Sequence, residues 1–378
     1  MNQIIKNGRI IISDNVLENH FLIIEDGIIK DISENFDKTK EYEIIDAENN
    51  YISPGFFDTH IHGAGDGVFD TATEESFTTI CDIILKNGVT TFLPTLMCNE
   101  THIKNVVRNI NSHPEESKRI EGMYIEGPFV NIEKKGGINP DYIRKPDVDY
   151  LKKIIDIANG HLKMMTIAPE LEGIDVIIDH LLQNDIIPAF GHSTTDLNTA
   201  LSTTGMRNIT HLFNAMSGIS HKTPGLAALP FINREIFAEV NGDGVHIDNQ
   251  IIKMCFDNLN SDRIISITDA VVSAGLPYGN YLYDTDKKVY SSERGVRYTE
   301  SDTLIGSCFL IPDVLRNLKE VTNAPIYELV KTATLNPAKL LSIDNERGSI
   351  EKGKKPISLF LMMILRLKKF CWDKQYYL

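Results

Sequence analysis

Residues 54–63 read Pro-Gly-Phe-Phe-Asp-Thr-His-Ile-His-Gly, and this stretch decides the fold. An apolar run that favours a β-strand ends in His60 and His62 and then breaks at a glycine. Side chains two residues apart on a strand point to the same face, so both imidazoles face one point at the strand end. Imidazole is the commonest protein ligand for zinc and similar divalent metals, so the pair indicates a metal site. The alternative is two histidines that are packed or hydrogen-bonded at a strand end.

From residue 54 onward, apolar strand-like runs alternate with amphipathic runs that fit helices, which is the pattern of βα units and a parallel sheet. Eight such units predict a (β/α)8 barrel, in which functional residues lie at the carboxyl ends of the strands. The predicted strands are 56–62, 90–96, 120–126, 164–169, 186–192, 208–214, 236–241 and 264–269. The predicted helices are 74–87, 101–111, 148–159, 174–184, 248–258 and 311–321.

The two ends of the chain differ from the barrel. Residues 1–53 show short alternating runs separated by turn-forming pairs such as Asn7-Gly8, which predicts a small hairpin-rich sheet. After the barrel, residues 324–341 carry a helical pattern, and residues 346–350 begin a strand-like tail that rejoins this sheet, since domain termini often lie close together. We therefore predict a barrel domain over 54–344 and a small β-sandwich domain built from 1–53 and 345–378.

Composition restricts the partners and the compartment. The 378 residues carry a formal net charge of -14, which argues against nucleic acid or an anionic membrane as a partner. The longest apolar run, residues 357–365, is far shorter than the ~20 residues of a membrane span. Five cysteines are scattered without paired spacing, and the N-terminus lacks the apolar core of a signal peptide, so we expect a reduced, cytoplasmic protein.

Residues that bind metals or carry protons follow the predicted strands. Glu126, His192 and His211 end or follow the third, fifth and sixth strands, and together they suffice for a catalytic divalent metal with one position left for water. The histidine pair of the first strand adds ligands for a second metal. A metal in such a site lowers the pKa of bound water towards ~7. Asp269, at the end of the eighth strand, is placed to hold that water and carry its proton, although aspartate is also common in turns and helix caps.

The seventh strand is followed at once by Asp243-Gly244-Val245-His246. His246 is a candidate to polarise a substrate carbonyl, and the alternative is a histidine of a surface loop. We assign the following histidines to the surface or to packing: His20, His102, His113, His161 and His180.

Two pieces of this sequence are highly specific, Ile-Glu-Gly-Pro-Phe at 125–129 and Thr-His-Leu-Phe-Asn-Ala-Met at 210–216. Together with the opening stretch at 54–63, these pieces resemble the amidohydrolase superfamily. The matching pieces occur in the same order as in that superfamily and cover nearly the whole barrel. Within that superfamily the chain most closely resembles the N-acetylglucosamine-6-phosphate deacetylase family. The other matching pieces lie at 191–193, 224–226, 243–246, 268–270, 306–307 and 333–338.

The resemblance implies a metal centre with a proton carrier. Glu126, His192 and His211 would bind the main metal, and the pair in the first strand would bind a second one, so one or two zinc or iron ions per subunit are expected. Asp269 would act as the general base and then as the acid that protonates the leaving amine. His246 would polarise the acetamide carbonyl.

The resemblance also implies a phosphate pocket. Asn214 and the backbone amide of Ala215 would hold a sugar 6-phosphate. A basic residue from the other subunit of a homodimer would complete the pocket, and the nearest candidate is Lys222, where the family usually has arginine. Lysine neutralises phosphate but lacks the bidentate fork of arginine.

The reaction implied is hydrolysis of the acetamide of N-acetyl-D-glucosamine 6-phosphate to D-glucosamine 6-phosphate and acetate. One alternative is a deacetylase for the galactosamine epimer, and another is a different amide hydrolase of the superfamily. Dihydroorotase-like members bridge two metals with a modified lysine at the fourth strand end, which here reads Ala168-Pro169-Glu170. A non-catalytic sugar-phosphate binder should lack at least one ligand or the proton carrier, and none is missing.

The C-terminal tail departs from the family. The family normally continues Gly-Lys-Asp-Ala-Asp-Leu, whereas this chain turns at Lys355 into a long apolar run that is followed by the only tryptophan, Trp372. We interpret this as a changed reading frame near Lys355, with a weakened small domain as the expected consequence.

Overall fold

The N-terminal segment forms two small sheets. The structure, a computed structural model, describes residues 2–283, 287–355 and 359–362. The N-terminal strands are β1 (Gln3–Lys6), β2 (Arg9–Ile11), β3 (Val16–Leu17), β4 (Phe21–Glu25), β5 (Ile28–Ser33), β6 (Glu43–Asp46) and β7 (Tyr51–Pro54). One sheet has the strand order β5-β4-β1-β6, and β7, β2 and β3 are adjacent in the other. Ile10, Leu22 and Ile52 share one hydrophobic core, as the alternating pattern of these runs predicts.

Eight parallel strands follow and close into a barrel. Each strand pairs with the next one in chain order. Between the last strand and the first, the amide of Asp269 donates to the carbonyl of His60 over 2.9 Å, and Ile61 pairs with Ala270. The predicted (β/α)8 barrel is therefore confirmed. The barrel strands are β8 (Phe56–Ile61), β11 (Val89–Met97), β12 (Met123–Glu126), β13 (Leu162–Ile167), β14 (Ile187–Phe190), β15 (Asn208–Ile209), β16 (Phe237–Asn241) and β17 (Ile264–Ile267), with a short hairpin of β9 (Gly63–Ala64) and β10 (Gly67–Val68) after the first.

The helices begin and end where the sequence chemistry predicts. At the first helix the Thr73 hydroxyl accepts from the Ser76 amide over 3.2 Å, and Phe77, Ile80 and Ile84 are buried at helical spacing. The helices are α1 (Glu74–Lys86), α2 (Glu100–Ser112), α3 (Pro114–Ser117), α4 (Val148–Ala158), α5 (Ile174–Gln183), α6 (Leu197–Ser202), α7 (Leu229–Ile232), α8 (Asn249–Leu259), α9 (Ile311–Thr322), α10 (Ile326–Thr332) and α11 (Leu335–Leu340).

Several predicted elements were too long, including the third and fifth barrel strands, each by three residues. The sixth barrel strand ends at Ile209, because His211, Phe213 and Ala215 have positive φ angles of 28°, 76° and 48°, which a strand does not accommodate. The helical pattern over 324–341 is divided between α10 and α11, which are separated by two residues.

An antiparallel sheet between the eighth barrel strand and α9 was not predicted. Its strands are β18 (Gly279–Tyr283), β19 (Lys287–Ser292), β20 (Gly295–Tyr298) and β21 (Leu304–Gly306). Val289 and Val296 of this sheet share a hydrophobic cluster with Met97 and Val271. The sheet therefore packs at the carboxyl ends of the second and eighth barrel strands, beside the predicted site.

The C-terminal segment rejoins the N-terminal sheets later than predicted. Residues 346–350 form turns and bends rather than a strand, whereas β22 (Leu359–Met362) pairs antiparallel with β7. Residues 363–378, with Trp372, lie outside the described residues. Most of the segment on which the interpretation of a changed reading frame depends therefore also lies outside them. The division into domains at residues 53 and 345 stays a prediction. No helix in the described part of the chain has the length and apolar character needed to cross a membrane.

Candidate active site

Six buried side chains meet at the carboxyl ends of five barrel strands. One is the last residue of β12, one lies in β8 and one directly follows β8. The other three lie two residues beyond the ends of β14, β15 and β17. They are His60, His62, Glu126, His192, His211 and Asp269. These are the side chains that the sequence analysis placed at a metal or at proton transfer, and they form two groups that could hold a metal ion.

The backbone at three of these residues is strained. His192, His211 and Asp269 have φ angles of 47°, 28° and 50°, in the left-handed region that residues other than glycine rarely adopt. Such a conformation costs about 1–3 kcal/mol per residue and persists only where the surroundings impose it, which is typical of functional sites. Gly191 allows the close approach before His192, because a Cβ there would lie 2.6 Å from the Thr166 methyl carbon.

The first group consists of Glu126, His192 and His211. Glu126 Oε1 lies 3.2 Å from His192 Nε2 and 3.1 Å from His211 Nε2, and the two nitrogens are 3.1 Å apart. The carbonyl of Lys134 only accepts hydrogen bonds, so His192 Nδ1, at 2.7 Å, carries the proton and leaves Nε2 with its lone pair. Ligands of a tetrahedral ion with bonds of 2.0–2.1 Å are separated by about 3.3 Å, so the group fits a divalent metal.

The second group consists of His60, His62 and Asp269, and it adjoins Glu126. His62 Nε2 lies 3.4 Å from both Asp269 Oδ1 and Glu126 Oε2. His60 Nε2 lies 3.7 Å from Asp269 Oδ1 and from Glu126 Oε1. His60 Nε2 is buried and has no hydrogen-bond partner among the described residues. A ring nitrogen that faces two carboxylates can bind a cation in place of its proton, and Glu126 is shared by the two groups.

The electrostatics keep the carboxylates charged. Burial alone would raise the pKa of Glu126, but hydrogen bonds from His192, His211 and His62 hold that pKa well below its usual range. Burial likewise opposes ionisation of Asp269, yet the hydrogen bond of His62 and the charges of neighbouring histidines lower its pKa. Burial would lower the pKa of His60 and of His62. Their carboxylate partners prevail and raise the pKa of His60 to about 9 and that of His62 to about 10.

These shifts predict competition between metal and protons. Without an ion, His60 and His62 hold protons at pH 7, below both raised pKa values, and an ion must displace them. We expect metal affinity at the second group to rise with pH between 6 and 9 and protons to be released on binding. Calorimetric titration with zinc in two buffers of different ionisation enthalpy measures this release. An affinity independent of pH would contradict the prediction, and His62→Asn should release fewer protons.

His246 is held in place by Asp243. The Asp243 carboxylate accepts from His246 Nδ1 over 2.8 Å, and His246 Nε2 faces Asp269 Oδ2 at 3.5 Å. Burial opposes protonation of His246, but the charge and the hydrogen bond of Asp243 raise its pKa above the ordinary value. Asp243 belongs to the motif at 243–246, but its role could not be predicted from the sequence.

The residues expected to hold phosphate do not all lie beside the buried cluster. Asn214 and Ala215 lie in the strained turn that follows His211. The Asn214 side-chain amide donates weakly to the carbonyls of His211 and Leu212, at 3.4 Å and 3.3 Å. The N–H of Ala215 has no acceptor within the described parts of the chain. Lys222 is exposed on the loop before α7 and lies outside the buried cluster.

Two buried carboxylates that support the site were not singled out from the sequence. Asp58 accepts from the Thr268 hydroxyl over 2.6 Å and joins the first strand to the last, and burial raises its pKa to about 7. Glu239 of β16 contacts the His60 ring. The sequence signal that could have identified them is a charged residue inside an apolar run, since buried charges are rare unless they have a partner.

Comparisons with known proteins agree with this geometry. The profile of the Amidohydrolase family matches residues 51–175. The N-acetylglucosamine-6-phosphate deacetylase of Bacillus subtilis (strain 168) is 31% identical over 368 residues, which cover 93% of this chain and 91% of that one. The N-acetylgalactosamine-6-phosphate deacetylase of Escherichia coli O157:H7 is 28% identical, with 94% of each chain covered. The crystal structure of N-acetylglucosamine-6-phosphate deacetylase from Pasteurella multocida superposes with a TM-score of 0.86 at 25% identity, again over 94% of each chain. The predicted resemblance is confirmed: this chain belongs to the N-acetylglucosamine-6-phosphate deacetylase family of the amidohydrolase superfamily.

Proposed function

We propose that this protein hydrolyses the acetamide of N-acetyl-D-glucosamine 6-phosphate to D-glucosamine 6-phosphate and acetate. The observation that carries the proposal is the buried cluster in which two groups of metal-binding side chains meet Asp269 and His246. Relatives named for this reaction, which match along nearly the whole chain, support the same substrate.

We assign a divalent metal, zinc or iron, to this cluster. Glu126, His192 and His211 would hold one ion, and His60 and His62 a second. When bound, the metal supplies Lewis acidity and lowers the pKa of water at the site. The donor set of imidazoles and carboxylates suits zinc or iron.

The protein's own groups would carry the proton and stabilise the developing charge. Asp269 stays ionised, so it can take a proton from the attacking water. As the carbon–nitrogen bond breaks, Asp269 would return that proton to the amine nitrogen. His246, with its raised pKa, would donate from Nε2 to the carbonyl oxygen where negative charge develops. The 3.5 Å between His246 Nε2 and Asp269 Oδ2 supports the proposal that both groups act on one amide.

The substrate's phosphate would lie at the turn after β15. The N–H of Ala215, which has no acceptor among the described residues, and the weakly held amide of Asn214 are donors available to an anion. Lys222 would reach the phosphate from the second subunit of a homodimer, and its exposure on a single chain leaves it available for this contact. We propose this homodimer as the active form, in the cytoplasm.

The direct test is acetate release from N-acetylglucosamine 6-phosphate by protein loaded with zinc or iron. We expect turnover that is lost after chelation and restored by added metal. Unphosphorylated N-acetylglucosamine should be a poor substrate, because the donors at Asn214 and Ala215 would have nothing to bind.

Two further arms decide between alternatives. N-acetylgalactosamine 6-phosphate serves as the epimer control, and preference for it would replace the proposed substrate with its epimer. No acetate from either sugar, with folded and metal-loaded protein, would contradict the proposal and favour another amide hydrolase of the superfamily.

A further inference from the structure

Glu239 is a buried carboxylate in the middle of β16, and its side chain is fully excluded from solvent. Three donors converge on it. The Asn208 side-chain amide donates to Oε1 over 2.8 Å. Oε2 accepts from His60 Nδ1 over 3.1 Å and from the backbone amide of His211 over 3.2 Å. Glu239 thus contacts one residue of each metal-binding group without belonging to either group.

The contact with His60 determines which ring nitrogen is available to an ion. A carboxylate accepts hydrogen bonds, so His60 Nδ1 keeps its proton, and Nε2, which faces Glu126 and Asp269, is the nitrogen that loses its proton and offers a lone pair when an ion binds. A carboxylate behind a ligating histidine also orients the ring and makes it a stronger ligand.

The contact with His211 connects the two groups. One oxygen atom, Oε2, accepts from the ring of His60 and from the main chain of His211, whose backbone is strained at φ 28°. A shift of the Glu239 side chain would therefore free the His60 ring to turn and remove one of the hydrogen bonds that hold the turn presenting the His211 ring.

We infer that Glu239 is a positioning residue for the metal centre, and that the ion at His60, His62 and Asp269 depends on it. This inference rests on the metal-dependent function proposed above. Glu239 acts through His60 and touches neither the substrate nor an ion.

The test compares zinc affinity in the parent protein and in Glu239→Leu, measured by competition with a chromophoric chelator and by metal content after dialysis. Removing the acceptor should lower the affinity of the second ion roughly 10–100-fold, the usual cost of losing such a partner. Glu239→Gln should retain most of the affinity. The Asn208 amide can turn its unpartnered oxygen towards the new NH2 group, so that the glutamine oxygen still faces His60.

Two controls separate positioning from general stability. Ser266 lies on the neighbouring strand β17, and Ser266→Ala removes its buried 2.6 Å hydrogen bond to Thr332 of α10 and should not change zinc affinity. In a His60→Asn background, Glu239→Leu should cause no further loss at the second group. Circular dichroism and thermal unfolding of the metal-free proteins report folding, and Glu239→Asp, whose shorter side chain withdraws from His60, replaces Glu239→Leu if the latter does not fold.

The outcomes are distinct. An unchanged zinc affinity in folded Glu239→Leu, an equal loss in the His60→Asn background, or binding of only one ion by the parent protein would each overturn the inference. Because zinc binding is measured without substrate, failure of the acetate assay would be seen separately from failure of the inference.

Discussion

Replacing Asp269 with asparagine is expected to lower kcat for acetate release roughly 10²–10⁴-fold, the contribution of a positioned acid–base group. Asparagine keeps the size of the side chain but cannot accept a proton from water or return one to the amine. Asp269 joins both halves of the chemistry, because Oδ1 faces His60 and His62 whereas Oδ2 faces His246. Substrate affinity should change much less, since the proposed phosphate donors lie on a different loop.

Steady-state kinetics with metal content determined on the same samples would measure this effect. Asp257→Asn is the matched control, because Asp257 is exposed on α8 and pairs with Lys253 on the same surface. If Asp269→Asn retained its metal and more than a tenth of parental kcat, proton transfer would have to be assigned elsewhere, with His246 as the nearest candidate.

Replacing Glu126 with glutamine is expected to release metal from both groups and to abolish measurable turnover. Glu126 places its carboxylate oxygens beside the ring nitrogens of both groups, with Oε1 near His192 and His211 and Oε2 near His62. The neutral amide of glutamine lacks the negative charge of the Glu126 carboxylate, which would otherwise stabilise a cation among the imidazoles. The loss of affinity should therefore exceed the roughly 10–100-fold expected when only a supporting partner of a ligand is changed.

Metal analysis after dialysis, followed by an activity assay at saturating zinc, would separate lost binding from lost chemistry. Glu133→Gln changes an exposed glutamate on the neighbouring loop and should have no effect. Retention of two ions per subunit by Glu126→Gln would contradict the assignment of Glu126 as the shared ligand.

The barrel could be predicted because its signals are local and repeated. Each apolar run followed by an amphipathic run specifies a βα unit regardless of the rest of the chain, and eight units close in only one familiar way. The helix bounds were predicted to within one or two residues for α1, α4, α5 and α9, where buried residues recur at helical spacing and a cap or an asparagine marks an end.

Errors arose where backbone conformation depends on distant contacts. Residues 208–214 look like one strand in sequence, but the chain turns at His211, whose amide donates to Glu239 from another strand. The sheet β18–β21 was missed because its short strands are bounded by turns and pack on residues such as Met97, which is remote in sequence.

The sequence by itself determined the strand ends that carry His60, His62, Glu126 and Asp269, and hence the type of chemistry, because strand order and side-chain alternation follow from local pattern. Only the tertiary structure decided which nitrogen of each histidine faces the carboxylates, since that depends on acceptors brought from other elements. The carbonyl of Lys134 serves His192, and the carboxylate of Glu239 serves His60. The partners in the first hydrogen bond are 58 positions apart in the sequence, and those in the second are 179 positions apart. Such distant pairs leave no periodic trace in a sequence, and they become visible only when the barrel closes.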